Sequence, residues 1–229
     1  ADAYARARPS YPPAAVEFIV SRFPAQPTVL DLAAGTGIFT ALLAPHAARL
    51  IAVEPVAAMR AKIDNAEVLD GTAESIPLPD ASVDAVTVAQ AFHWFRFDEA
   101  LAEIARVLRP GGALALCWNR RDESVPWVDR MSEVMKWRAN QISSYDRTDW
   151  PAVIGRSGQF GEVEHRSFGW EHMMDRPMLA ERVRSVSYIA AMDSAERESI
   201  VAEVLALADG FDEPFALPYN TLVWCTTRS

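Results

Sequence analysis

The run Val29-Leu30-Asp31-Leu32-Ala33-Ala34-Gly35-Thr36-Gly37 carries the strongest chemical signal in the chain. An apolar strand enters a glycine turn that opens a helix. Gly35 and Gly37 let the backbone approach a ligand closely, and the helix start offers N–H groups and the positive end of a dipole. Glu54 stands 17 residues after Gly37, at the end of the next strand. An acid in that place accepts hydrogen bonds from both hydroxyls of a ribose. These features point to a nucleoside-bearing ligand. A tight strand-to-helix turn that binds nothing is the competing reading.

NAD and S-adenosylmethionine both carry such a nucleoside. The Gly-x-Gly spacing has Thr40 where a dinucleotide fold wants a third Gly or Ala. Asp31, just before the turn, suits a ligand with an ammonium group better than a pyrophosphate. His93 and Trp94 follow the fourth expected strand, at the edge where open α/β sheets bind ligands. A lone histidine beside aromatics is commonly structural. In the functional reading His93 lines the substrate pocket and takes a proton, because imidazole titrates near neutrality. Phe92, Trp94 and Phe95 then form wall and core. Pro9 and Pro12 set a fixed extended path for Tyr4, Arg8 and Tyr11, with a solvated tail as the alternative. On the fixed path Arg8 pairs with a carboxylate of cofactor or substrate, and Tyr4 covers the site.

The elements that must position these residues alternate strand and helix, as in an α/β fold with a parallel sheet. Strands are expected at 28–32, 50–53, 67–69, 83–89 and 113–118, with helices at 38–47, 56–63 and 97–108. Asp98 is a candidate cap for the last helix, and Pro110-Gly111-Gly112 a stop after it. Beyond Trp118 the pattern changes. Helices are expected at 127–142, 177–188 and 195–207, the last with Asp193 and Glu196 as a capping box, and strands at 163–170 and 221–226. Residues 215–219 extend the final strand, but Pro218 argues against a central position there. Met131, Met135, Met173, Met174, Met178 and Met192 read as core packing or as a soft lid over an apolar substrate. One domain of 229 residues is expected, with 1–118 binding the cofactor and 119–229 facing the substrate.

Half the residues are hydrophobic, which is enough for a sizeable core. The net charge of −9 disfavours a general nucleic-acid binder. Cys117 and Cys225 lie in apolar runs and read as buried thiols, which fits a reducing, cytoplasmic location. No apolar stretch is long enough to span a membrane, and no signal peptide is expected. No His/Cys/Asp cluster has metal-ligand spacing, so no metal is expected.

The runs VLDLAAGTG, AVEP, GTAESIPLPDASVDAV, AQAFHWF and RVLRPGGALAL, in that order, resemble the class I S-adenosylmethionine-dependent methyltransferases. Within them the chain looks most like the small-molecule branch that includes trans-aconitate methyltransferase-like and quinone-biosynthesis-like enzymes. The resemblance covers about residues 4–118. It implies a Rossmann-like sheet of seven strands in the order 3-2-1-4-5-7-6, the last strand antiparallel, with helices on both faces. It also implies methyl transfer by in-line displacement to an O-, C- or carboxyl acceptor, with S-adenosylhomocysteine as product, in a monomer or homodimer. Gly35 and Gly37 would pass under the methionine and ribose. Asp31 would hold the methionyl ammonium. Glu54, followed by Pro55, would bind the ribose hydroxyls, and Met59 would pack on the adenine. Thr72, Ala73 and Glu74 would meet the adenine edge, with Glu74 or a carbonyl replacing the Asp that many relatives carry where Thr72 stands. Gln90 would lie near the sulfonium, and Tyr11, His93 and Trp94 near the acceptor. Ala33 replaces a common Gly, a sterically modest change. The rivals are a catalytically silent cofactor-binding protein and an NAD-linked oxidoreductase.

Overall fold

The computed structural model describes residues 8–136 and 148–229. Tyr4 and the far end of the helix expected at 127–142 lie outside them. One sheet contains β1 Thr28–Leu32, β2 Arg49–Val53, β3 Glu67–Leu69, β4 Val83–Ala89, β5 Leu108–Arg121, β6 Glu164–Met174 and β7 Phe215–Thr227. Its order is β3-β2-β1-β4-β5-β7-β6, as the resemblance implies. Pairings β1–β2, β1–β4, β2–β3 and β4–β5 are parallel. Gly111 N–H donates to the Arg228 carbonyl and Asp122 N–H to the Pro218 carbonyl, both at 2.9 Å. The residue numbers run in opposite directions, so β7 is antiparallel to β5.

The helices are α1 Pro13–Val20, α2 Ile38–Leu43, α3 Ala57–Arg60, α4 Phe97–Val107, α5 Pro126–Val134, α6 Trp150–Arg156, α7 Arg176–Arg184, α8 Ser187–Ala190 and α9 Ser194–Leu207. Successive strand residues face opposite sides, and both sides are covered. Val29 packs with Ala15, Ile19, Phe39 and Leu43 of α1 and α2. Leu30 and Leu32 pack with Leu101, Ile104 and Ala105 of α4. The polar Asp31 therefore shares the Val29 side, toward α2.

The described chain divides into two compact units, one of residues 10–118, 148–168 and 221–229, the other of 8–9, 119–136 and 169–220. In the second, α5, α7, α8 and α9 bury Val128, Met131, Met135, Leu179, Val183, Ile189 and Val204 around Met174, Leu217 and Tyr219. Three of the methionines are thus core, whereas Met173 is exposed.

Several local expectations are revised. Pro218 lies inside β7, between β5 and β6. Antiparallel partners in a hydrogen-bonded pair exchange both bonds. The donor that Pro218 lacks would face Asp122, just past the end of β5, so little pairing is lost. The helix expected at 38–47 ends at Leu43 and tightens into a 3₁₀ turn over Ala44–His46, because Pro45 has no N–H to continue the ladder. Asp98 sits in the first turn of α4 rather than at its cap, which is Arg96. Asp193 does cap α9, accepting from the N–H groups of Ala195 (2.9 Å) and Glu196 (3.0 Å). Helices α1 and α6 were not expected from the sequence pattern.

Candidate functional site

The turn after β1 is built from left-handed backbone. Ala33 has φ +57°, Gly35 +59° and Gly37 +82°. At Gly37 a Cβ would also lie 3.1 Å from Ile63 Cγ1, so glycine is required twice over. At Gly35 a Cβ would meet nothing within 4 Å, which leaves open space above its backbone. Ala33 is more than a modest steric change. An L-residue in this conformation costs about 1–2 kcal/mol, which glycine would avoid. Gln90, at the end of β4, has φ +60° as well. Two non-glycine residues thus hold strained backbone at the C-terminal ends of adjacent central strands.

Glu54 is buried at the end of β2, and its side chain reaches across to the turn. Gly35 N–H donates to Oε2 and Val56 N–H to Oε1, each at 2.9 Å. Both oxygens are fixed by backbone, and each keeps acceptor capacity for a second donor. Arg60 steadies this corner from α3. It donates to the carbonyls of Glu54 and Pro55 at 2.7 Å and grips Asp70 bidentately at 2.9 and 3.0 Å. Beside it, Val56 and Met59 expose large apolar side chains (46% and 38%) and Pro55 is exposed too. A flat apolar group set beside a fixed carboxylate matches what a nucleoside needs.

Asp31 is 1% exposed. Thr40 Oγ1 donates to its Oδ2 at 2.6 Å and Thr87 Oγ1 to its Oδ1 at 3.1 Å. Burial pushes its pKa up to about 6, the two hydroxyls oppose that rise, and the charge on Glu54 adds to it. A carboxylate so placed favours an arriving cation. The sequence reading did not name Thr40 and Thr87 as site residues. Thr40 did stand out, at the position of a third glycine, but only as a departure from a motif.

In the 72–74 loop, Ala73 is buried and Thr72 exposed. Glu74 Oε1 accepts from Arg96 N–H at 2.9 Å, which ties the loop to the start of α4. His93 lies in a 3₁₀ turn after β4, and its Nδ1 accepts the indole N–H of Trp118 at 3.1 Å. Burial drives its pKa down to about 4. Trp94 is 63% exposed. Tyr11, expected near the acceptor, is instead buried edge-to-face on Phe39 at 4.7 Å, because Pro12 leads straight into α1 and turns the ring into the core. Arg8 is exposed. Both cysteines are buried thiols, as expected.

Residues 30–116 match the family described as a methyltransferase domain. An uncharacterized methyltransferase of Mycobacterium tuberculosis is 38% identical over 229 residues, covering 96% of this chain and 90% of the relative. The chain belongs to the S-adenosylmethionine-dependent methyltransferases. An uncharacterized methyltransferase-like protein of Schizosaccharomyces pombe is 36% identical over 212 residues, 90% of this methyltransferase and 82% of its own length. A solved structure of a putative methyltransferase from an antibiotic biosynthesis pathway of Anabaena variabilis shares the fold with a TM-score of 0.69. That likeness is at 21% identity and covers 92% of this methyltransferase and 96% of the other chain. No helix among the described residues is long and apolar enough to cross a membrane.

Proposed function

We propose that this methyltransferase moves the methyl group of S-adenosylmethionine to a small-molecule acceptor by in-line displacement. The observation that carries the reading is the pair of fixed carboxylates, Asp31 in β1 and Glu54 after β2, with Glu54 bonded to the N–H of Gly35, whose backbone has open space above it. The residues fit the cofactor. Asp31 suits its ammonium, the two oxygens of Glu54 suit two ribose hydroxyls, and Val56 and Met59 suit adenine. Ala73, Thr72 and Glu74 border the adenine edge, with Glu74 serving mainly to fix the loop. When bound, the cofactor supplies a methyl group already activated on a sulfonium. The protein's work is then to orient the acceptor and exclude water, which is worth up to about 7–11 kcal/mol in favourable cases.

His93 serves this work as a donor. A neutral imidazole that accepts at Nδ1 carries its proton on Nε2. With Trp118 holding Nδ1 and the pKa near 4, the ring stays neutral at physiological pH and keeps its proton on Nε2. This favours a positioning role over proton abstraction. Strained Gln90 and exposed Trp94 mark the same strand end. The acidic net charge supports a small molecule over a nucleic acid. Residues 119–229 would recognise the acceptor within a single cytoplasmic methyltransferase domain.

Transfer of labelled methyl from S-adenosylmethionine across a metabolite panel tests the proposal. Turnover on a small metabolite is expected. Tight binding of S-adenosylhomocysteine with no turnover on any acceptor would favour a silent, regulatory cofactor-binding protein instead.

A further inference from the structure

In the unit that holds the glycine turn, three polar side chains are sealed together. Asp31 is 1% exposed, and Thr40 and Thr87 not at all. Thr40 stands three residues after Gly37, in the first turn of α2. Its Oγ1 donates to Asp31 Oδ2 at 2.6 Å, a length typical of a hydroxyl bonded to an ionised carboxylate. Thr87, the register partner of Asp31 on β4, is placed less well. Its Oγ1 lies 3.1 Å from Asp31 Oδ1 and 3.3 Å from the Leu30 carbonyl, and a hydroxyl has one proton to divide between them.

Position 40 is where a dinucleotide fold carries Gly or Ala. Either would leave Asp31 Oδ2 without this donor. A buried carboxylate short of donors takes up a proton, and a neutral acid does not attract an ammonium group. The other groups around Asp31 do not replace Thr40. From the end of β2, the charge of Glu54 works against ionisation. From β5, Cys117 stays a neutral thiol, because burial and then the charge of Asp31 push its pKa well up, and Tyr11 hydrogen-bonds to that thiol. On β4, Asp84 lies toward the other end of the strand and pairs with Arg109. Helix α2 carries no titratable side chain, and Glu17, the one acid of α1, is exposed.

We propose that Thr40 is a positioning residue for cofactor binding: its hydroxyl keeps Asp31 charged and so sets how far the pH can fall before the ammonium group is no longer received. This deepens the cofactor reading above and rests on it. The departure at position 40 becomes the feature that suits the turn to a cationic ligand instead of a pyrophosphate.

Carbon-13 NMR of the aspartate carboxyls in the ligand-free full chain reads the ionisation of Asp31, with Asp31→Asn assigning its signal. Calorimetry with S-adenosylhomocysteine from pH 5 to 8 is run on the same samples. Thr40→Val is near-isosteric and removes the donor. It should move the Asp31 midpoint up by at least ~1 pH unit, the worth of one charge-assisted bond. Affinity for S-adenosylhomocysteine should then lie at least ~5-fold below wild type at pH 6, with the deficit shrinking toward pH 8. Thr40→Ser, which keeps the donor, should restore the wild-type midpoint, and Thr87→Val should move it less than Thr40→Val. Thr40→Ala removes the same donor and makes the same test should the valine variant not fold. An unmoved midpoint in a chain without the hydroxyl would overturn the proposal, as would a serine variant shifted as far as the valine one. A midpoint that moves in Thr40→Val, with S-adenosylhomocysteine affinity the same at every pH in both chains, would sink the cofactor reading and leave the hold of Thr40 on Asp31 standing.

Discussion

The corner between β1 and β2 and the cluster around Arg121 solve opposite electrostatic problems by different means. At the first, two carboxylates stand ready, on the proposed reading, for a ligand with a cation and a diol. They are held by backbone N–H groups and by hydroxyls from neighbouring strand and helix. At the second, two guanidinium groups, of Arg121 and Arg182, reach hydroxyls from α5 and β7. The first site is built on a contiguous strand–turn–helix run, with Glu54 and Thr87 brought in from the neighbouring strands. The second is made by packing distant elements, so its integrity depends on a core of aliphatic side chains. Substitutions should therefore separate cleanly: core changes in 119–136 and 169–220 should cost stability, and changes at the strand ends should cost cofactor affinity.

The largest effect expected is on stability. Leu179 of α7 is fully buried in the second core. Leu179→Ala should destabilise the chain by about 2–5 kcal/mol, read by denaturant unfolding. Affinity for S-adenosylhomocysteine should stay as in wild type under native conditions. A large loss of affinity in the folded variant would break the separation.

Next comes Glu54→Ala. Charge-assisted bonds contribute about 1.5–3 kcal/mol each, so loss of two ribose bonds should weaken cofactor binding at least ~10-fold. The freed N–H groups of Gly35 and Val56 should loosen the turn as well. Calorimetry reads the affinity, and an unchanged dissociation constant would remove Glu54 from the site.

This contrast also explains what the sequence made legible. Sheet order came from the family resemblance, whereas the glycine turn was visible by itself, because a strand–turn–helix motif is contiguous and its backbone needs are written in residue type. The cap at Asp193 was visible for the same reason. The burial of Tyr11 was not legible, because whether a ring after a proline path is covered depends on Phe39, distant in sequence. Pro218 misled because a missing donor matters only if a partner faces it, which register alone decides. Trp118's hold on His93, and Arg121 with Arg182, join residues 25 and more positions apart with no spacing rule to reveal them.

A smaller effect is expected at His93. Turnover should be flat from about pH 6 to 8, because a ring with its pKa near 4 does not titrate there. His93→Gln, which keeps a donor, should retain most activity, and His93→Ala should lose more. A rate that rises through the ordinary imidazole range would restore His93 as a base. The smallest effect belongs to Ala33→Gly. Relief of left-handed strain and the added freedom of the unfolded chain nearly cancel, leaving a change of about 1 kcal/mol or less in thermal or denaturant unfolding.

The central claim is that a buried Asp31 carboxylate receives the cofactor's ammonium group. With its pKa near 6 in the free protein, Asp31 is ionised above that pH and must lose a proton to pair below it. Calorimetric titration with S-adenosylhomocysteine across pH 5 to 8 tests this most directly, with Asp31→Asn alongside. Wild-type affinity should hold steady above about pH 6 and fall toward ~10-fold per unit below it, while Asp31→Asn should bind weakly and without that slope. A wild-type affinity flat across the whole range, or the same slope in Asp31→Asn, would contradict the account.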